Sequence, residues 1–367
     1  MSYLDTLLQG VEVEWKTLGD ENFFEVANSG RKPVKAVERI PGNIPYYGAN
    51  NIQDYVEGYT HEGEYVLIAE DGTQSIENYS IQWASGKFWA NNHVHVLRGK
   101  EHVTNRFIFH YLKTVNFVPY LTGGDRAKLT KGKLVEILIP IPPLSVQKEI
   151  VRILDTFTEL TAELTAELTA RKKQYNYYRE QLLSFEDGEV EWKVLGEVTE
   201  IKRGKRLVKS QLEEEGKYAV FQNSMVPLGY YFECNVKADT TFIICAGAAG
   251  EIGFSNVDFW AADDVTYFIT PANFNSKYLY YFLLTQQSKL FSQVRRASVP
   301  RLSKTTFEKM QIPIPPLSEQ ERIVSILDKF DILTTSISEG LPKEIELRKK
   351  QYEYYRHLLL TFPKENA

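Results

Sequence analysis

Twice along this chain the apolar residues change from a strand period to a helix period. Within 21–138 and again within 198–311 they come in short β-type runs: Tyr65 to Ala69, His93 to Leu97, Thr240 to Cys245 and Thr266 to Thr270. Gly and Asn turns separate the runs. One helical stretch follows each set, Asn105 to Val115 and Ser276 to Ser292, so both segments predict an α+β fold. From Ile150 the apolar step becomes three and four, through Leu154, Phe157, Leu160, Leu164 and Leu168, then Tyr175, Tyr178 and Leu182. A second stripe runs through Ile323, Ile326, Phe330, Leu333 and Ile337, then Ile345, Tyr352, Tyr355 and Leu359. This spacing predicts long helices with one apolar stripe each, and steps near seven mark a coiled-coil seam. The first, from Ser145 to Ser184, would be roughly 60 Å long. The second is expected to bend or break at Gly340-Leu341-Pro342, where proline removes a ladder bond. Ser145 and Ser318 follow a Pro-rich break and are expected as N-caps, with Glu321 completing a capping box that Lys148 denies to the first helix.

The helical stretches are copies of one another. Ile139-Pro140-Ile141-Pro142-Pro143-Leu144-Ser145 returns as Ile312-Pro313-Ile314-Pro315-Pro316-Leu317-Ser318, and 14 of 19 positions to Phe157 and Phe330 are identical. Arg171-Lys172-Lys173-Gln174-Tyr175 returns as Arg348-Lys349-Lys350-Gln351-Tyr352, and Val13-Glu14-Trp15-Lys16 returns as Val190-Glu191-Trp192-Lys193. So long a period means a duplicated module and not a solenoid. The expected boundaries are a lead-in at 1–20, a first variable domain at 21–138, a central helical region at 139–186, a second variable domain at 187–311 and a distal helical region at 312–367. Inside the first helix Thr161-Ala162-Glu163-Leu164 and Thr165-Ala166-Glu167-Leu168 repeat in tandem, followed by Thr169-Ala170. Four residues approximate one turn, so the repeat is either a neutral slip or a spacer that sets length.

Composition narrows the function. The chain has 367 residues, 43% hydrophobic and 25% charged, as in ordinary globular protein. Cys234 and Cys245 are too few for a disulfide framework. With no signal-peptide pattern and no long apolar run, a cytoplasmic location is expected. The net charge of −5 argues against a uniformly basic nucleic-acid binder, but not against local basic faces. No phosphate-loop glycine-lysine motif, dinucleotide fingerprint or Asn/Asp-Pro-Pro-Phe/Tyr methylation motif occurs. His93 and His95 alternate on one strand without a ligand-spaced carboxylate or cysteine cluster, so no metal site is expected. The chain reads as a recognition protein with no catalytic residues.

Four basic runs lie in corresponding places of the two variable segments: Arg31, Lys32 and Lys35, then Arg126, Lys128 and Lys131; and Lys202, Arg203, Lys205, Arg206 and Lys209, then Arg295, Arg296, Arg301 and Lys304. A single run is often just a solvated face, but four matching runs point to DNA, whose phosphates require cations. Asn50, Asn51, Gln222 and Asn223, in turn-like contexts, are candidate base readers. Gly247-Ala248-Ala249-Gly250 is a tight loop, either a plain turn or a backbone approach to phosphate. Trp89 and Trp260, in the shared Phe-Trp-Ala, are expected in the core. Arg171, Lys172, Tyr175 and Tyr178, with Arg348, Lys349, Tyr352 and Tyr355, form a twice-used aromatic-basic collar that suits a protein partner.

Taken together, the twice-used Ile-Pro-Ile-Pro-Pro-Leu-Ser-x-Gln, the Arg-Lys-Lys-Gln-Tyr collars, the Trp-Lys-x-Leu-Gly lead-ins and the two unlike segments resemble a type I restriction-modification specificity subunit. The resemblance covers essentially the whole chain. It implies two target-recognition domains, each reading half of a split site in double-stranded DNA, separated by two long helices packed as an antiparallel coiled coil. It further implies docking of two methyltransferase subunits that carry S-adenosylmethionine, and of restriction motor subunits that use ATP and Mg. It does not carry base-reading residues across. Glu70-Asp71, where the second copy has Ala246-Gly247, leaves that loop's role open. Two other readings stand beside it: a DNA-reading module for a single-chain restriction-methylation enzyme, and a coiled-coil adaptor with no nucleic-acid role.

Overall fold

The computed structural model describes residues 3–123, 127–186, 188–296 and 298–363. The chain divides into two units, Met1–Leu164 with Ile345–Ala367, and Thr165–Glu344.

The first unit begins with α1 (Tyr3–Leu8) and β1 (Glu14–Thr17). Its variable segment holds β2 (Phe24–Val26), β3 (Pro41–Tyr47), β4 (Ile52–Val56), β5 (His61–Glu62), β6 (Tyr65–Ala69), β7 (Ile81–Ala84), β8 (Lys87–Ala90) and β9 (Val94–Gly99). They form two four-stranded sheets, in the orders β2-β9-β6-β7 and β4-β3-β8-β5. Central β6 is buried along its whole length, as a continuous apolar run requires. There follow α2 (Asn105–Leu112), α3 (Lys131–Leu134) and β10 (Leu138–Ile141). The Trp-Lys lead-in and the Pro motif prove to be partners: β1 pairs antiparallel with β10, setting Trp15 opposite Pro140. This ribbon joins the two ends of the variable segment.

The second unit repeats the plan. It has β11 (Glu191–Val194), α5 (Leu195–Val198), β12 (Glu200–Arg203), β13 (Tyr218–Phe221), β14 (Gly229–Tyr231), β15 (Thr240–Ile244), β16 (Ile252–Ser255), β17 (Trp260–Ala261) and β18 (Val265–Ile269). Then come α6 (Ser276–Thr285), α7 (Gln287–Ser292), α8 (Lys304–Glu308) and β19 (Gln311–Ile314). The sheets run β12-β18-β15-β16 and β14-β13-β17, and β11 pairs with β19. Strand for strand this is the first unit without a counterpart of β5. The expected α+β segments are therefore present, and the expected helix at Ser276 to Ser292 divides in two near Gln286.

Two long helical stretches complete the units. The first, α4 (Leu144–Leu182), runs unbroken through the Thr-Ala-Glu-Leu repeats. There Thr161 and Thr169 return their hydroxyls to the carbonyls of Phe157 and Thr165, at 2.8 and 2.9 Å. The second stretch is α9 (Leu317–Thr335) and α10 (Gly340–Leu360), so the break falls at 336–339, just before the predicted Gly-Leu-Pro. Phe157 of α4 stacks on Tyr355 of α10 in the first unit, and Tyr175 and Tyr178 of α4 meet Phe330 of α9 in the second.

The serine caps are not used. The first turn of α4 closes on the Pro143 carbonyl, with Ser145 already inside the helix. Pro316 is the N-cap of α9, with no side-chain cap, so the Ser318–Glu321 box does not form. Proline fixes the extended entry. Two residues beyond each serine stands a glutamine. Gln147 and Gln320 are wholly buried. Gln147 accepts from the Thr104 amide at 3.0 Å and donates to the carbonyls of His102 and Pro142 at 2.9 and 2.8 Å. Gln320 accepts from the Asn275 amide at 2.8 Å and donates to the Pro315 carbonyl at 2.8 Å. Thr104 and Asn275 are the N-caps of α2 and α6. Each glutamine thus ties the Pro turn to the start of its variable segment's helix. Two turns on, Asp155 takes Arg106 and His110 of α2, and Asp328 takes Lys277 and Tyr281 of α6. The repeated motif is the dock on which each unlike segment is mounted. Among the described residues, no helix is long and apolar enough to cross a membrane.

Candidate nucleic-acid interface

Members of the candidate basic runs meet at the loop after the central strand: Arg31 and Lys128 in the first unit, Arg295 and Arg301 in the second. In the second unit this strand is β15. Ala246 bridges to Arg301, and Arg301 bridges to Arg295. The Gly247 amide donates to the Pro300 carbonyl at 3.1 Å, and the Ala248 amide to the Asn223 carbonyl at 2.8 Å. Gly247 has φ +81°, and a Cβ there would lie 2.6 Å from the Asn223 carbonyl, so only glycine lets these segments meet. The loop is thus more than a plain turn: it joins the Gln222-Asn223 turn to the 295–301 segment. Arg203 donates to the Asp263 carbonyl at 2.5 Å, in the turn between β17 and β18.

Trp260 donates to the Lys205 carbonyl at 2.9 Å, and Trp89 to the Lys32 carbonyl at 2.7 Å. Trp260 is buried as expected, whereas Trp89 is only partly so. Both fasten a basic segment to the sheet, a role that the shared Phe-Trp-Ala did not disclose. Gly204, just before Lys205, lies so close to the carbonyls of Ala261 and Ala262 that a Cβ would be 2.2–2.3 Å from them.

Lys202, Arg203, Lys205, Arg206, Asn223, Arg295, Arg296, Arg301 and Lys304 are exposed, and Gln222 is half-buried. Lys202 pairs with Glu200 at 3.0 Å and Lys304 with Glu308 at 3.2 Å, both in solvent, where such pairs hold weakly.

The first unit has a different balance. Arg31 is bound inward: it pairs with Glu70 at 2.6 Å and donates to the Val94 carbonyl at 2.9 Å. Lys128 pairs with the other Glu70 oxygen at 2.9 Å. Burial opposes ionisation of Glu70, but these two cations overcome it and hold its carboxyl below the usual range. Asn50 donates to the Gly72 carbonyl and accepts from the Gln74 amide, which fixes the 72–74 loop and leaves little for a base. Arg31, Lys128 and Asn50 are therefore structural groups here first. Asn51 is exposed, with its side-chain oxygen bound to the Ile52 amide. Lys32, Lys35 and Lys131 are exposed, Lys35 with Glu38 at 3.9 Å. Arg126 lies outside the described residues.

The fold also supplies what sequence spacing hid from the histidines. Asp71 lies 2.5 Å from His93 Nδ1, and Glu70 3.7 Å from His95 Nδ1. Burial pushes the His95 imidazole below its usual value. No group of three ligating side chains suited to a metal ion occurs among the described residues.

The collar splits by face. Tyr175 is buried, and Tyr352 is half-buried against His110 at 3.1 Å, so both serve their own unit's core and offer a partner little surface. Tyr178 and Tyr355 stack on Phe330 and Phe157 with one edge exposed. Arg171 pairs with Glu167 at 2.7 Å, and Arg348 donates to Gln351 at 3.0 Å. Lys172 and Lys349 are exposed. Tyr177 and Tyr354, 60% and 65% exposed, are the collar's freest aromatics.

Two sheet-based tips with basic loops, mounted on helices by one repeated dock, define a duplicated recognition protein. Comparison with known proteins places it. The type I restriction modification DNA specificity domain matches residues 11–171 and again 188–347. A Haemophilus influenzae protein named as a type I restriction enzyme specificity subunit is 48% identical, over 98% of both chains. The EcoR124I/EcoR124II specificity subunit of Escherichia coli is 36% identical, over 99% of this chain and 98% of its own. A crystal structure of the S subunit of a type I restriction-modification system from M. genitalium shares the fold, with a TM-score of 0.70, 18% identity and coverage of 97% and 98%. The chain belongs to the type I restriction-modification specificity subunits. It is a DNA-recognition subunit that works with partner subunits, and its own role is not catalytic.

Proposed function

We propose that the two tips read the two halves of a split site in double-stranded DNA, and that the helices dock two methyltransferase subunits. The observation that carries this is the repeated dock. Gln147 with Asp155, and Gln320 with Asp328, hold unlike tips in the same way, so a tip can change without disturbing its mount. The free collar residues Lys172, Tyr177, Lys349 and Tyr354 are the surface for the methyltransferase subunits. Those subunits carry S-adenosylmethionine; ATP and Mg belong to the restriction motor subunits. The complex works in the cytoplasm, where the chromosome lies. The Thr-Ala-Glu-Leu repeats set the unread spacer between half-sites.

Exchanging residues 198–311 for the corresponding segment of another family member tests the reading. In cells with the methyltransferase subunit, the exchange should change one half of the methylated motif and leave the other intact. Changes in both halves would overturn independent reading.

A further inference from the structure

The two tips use one framework position with opposite chemistry. Backbone bonds align them. Leu129 donates to the Glu70 carbonyl as Leu302 does to that of Cys245, and Asp71 bridges Lys128 as Ala246 bridges Arg301. Glu70 therefore corresponds to Cys245, Asp71 to Ala246 and Lys128 to Arg301, one residue from the sequence-based match of Glu70-Asp71 with Ala246-Gly247. The strand register adds His95, opposite Ile68, against Thr266, opposite Ile243.

The buried pair beneath the loop decides what the loop can offer. In the first unit that pair is Glu70 and His95. Glu70 is an anion with only 14% of its side chain exposed, and it draws in both Arg31 and Lys128. A buried carboxylate must be paired, so neither cation is free for DNA. What remains at the surface is Asp71, 34% exposed, with one oxygen held by His93 and the other 4.0 Å from Lys128. In the second unit the pair is neutral: the Cys245 thiol lies 3.3 Å from the Thr266 hydroxyl. The pair itself carries no charge to neutralise, and the charges that act on Cys245 are those of Arg203 and Asp264. Gly204 stands at Arg31's place, since Lys205 and Lys32 make the same bonds. Arg301 is exposed, and among the described residues its side chain has no hydrogen bond or ion pair. Its backbone is pinned on both sides, by Ala246 and Arg295. An unpaired guanidinium keeps its donors available to a base edge, and with the backbone fixed only the side chain's own rotamers remain to be ordered on binding.

We infer that the tips read in opposite hydrogen-bonding senses: Arg301 donates to a guanine edge in the second unit's half-site, and Asp71 accepts from the amino group of a cytosine or adenine in the first unit's half-site. The pairings follow from base-edge geometry, since guanine presents two acceptors to the major groove and cytosine and adenine each an amino donor. The inference rests on the DNA-recognition reading above and assigns that reading's chemistry to particular atoms.

The test is the motif methylated in cells by the complete complex carrying Arg301→Ala, Arg301→Gln or Asp71→Asn, with each half-site assigned beforehand by the tip exchange. Arg301→Ala should relax one guanine by about tenfold to a hundredfold, in the second unit's half only. Arg301→Gln should move that preference toward adenine. Asp71→Asn should relax one amino-bearing base in the first unit's half. An unchanged motif overturns the assignment. So does uniformly weaker binding with a shallower salt dependence, which marks a phosphate contact. Failure of the Arg301 variants to assemble also overturns it, because that side chain would then be holding the fold. A wild-type complex that writes no two-part motif would instead defeat the DNA reading itself.

Discussion

His110 shows how one side chain sets a unit's response to acid. It is wholly buried in α2, with Nε2 donating to Asp155 at 2.8 Å and Nδ1 accepting from the Tyr352 hydroxyl at 3.1 Å. Burial lowers its pKa below 6.5, against the pull of Asp155. Burial lowers that of His95 as well. An unfolded chain then binds protons that these residues refuse, so stability is full above about pH 6.5 and falls as pH drops through their folded values. The second unit has Tyr281 and Thr266 at these places, and neither takes up a proton in that range. The first unit should therefore lose structure before the second on acidification, followed by amide exchange resolved by segment. His110→Tyr, the second unit's own choice, should remove part of that dependence; an unchanged pH profile would refute the assignment. Gln147 and Gln320 give a second residue-level prediction. Either one changed to Ala strands a buried amide and a carbonyl, which should cost about 2–4 kcal/mol. A loss below about 1 kcal/mol in urea melts would show that water replaces the side chain.

Among the elements, α4 joins the two units without a break, and its tandem repeats keep Leu164 and Leu168 half-buried while Ala166 and Glu167 face solvent. Four residues overshoot a turn by only about 40° and add roughly 6 Å. Deleting 165–168 should keep the stripe in register and the protein stable. It should also shorten the spacer in the methylated motif by one or two base pairs, given about 3.4 Å per pair. Deleting only Thr165 and Ala166 turns Leu168 off the seam and should lower the melting temperature markedly. A four-residue deletion that leaves the spacer untouched would reduce the repeats to filler.

At the scale of the whole molecule, one module is used twice, and its repeated and unlike parts have separate duties. The repeated parts dock helices and close ribbons; the unlike parts carry the loops proposed to meet DNA. The purified chain should therefore transfer no methyl group from S-adenosylmethionine, since it holds no methylation motif. Methylation by the isolated chain, measured with labelled cofactor, would contradict that division. Tyr177→Ala with Tyr354→Ala should weaken assembly with the methyltransferase subunit at least tenfold while leaving the melting temperature within a few degrees, since both rings are mostly in solvent.

The sequence alone determined the duplication, the long helices and their break, the central strands, and the family. These depend on periodicity and on motifs contiguous in the chain, as with the stripe from Ile150 to Leu182. It misplaced the caps because serine after proline satisfies a local rule, whereas the structure spends the next glutamine on a helix about 45 residues away. It grouped cations by run, and only tertiary structure could sort them: Arg31 and Lys128 belong to Glu70, while the Arg301 side chain has no ion pair among the described residues. The physical reason is that a cation's availability depends on the charge buried next to it. That charge comes from a different strand, so no local pattern records it.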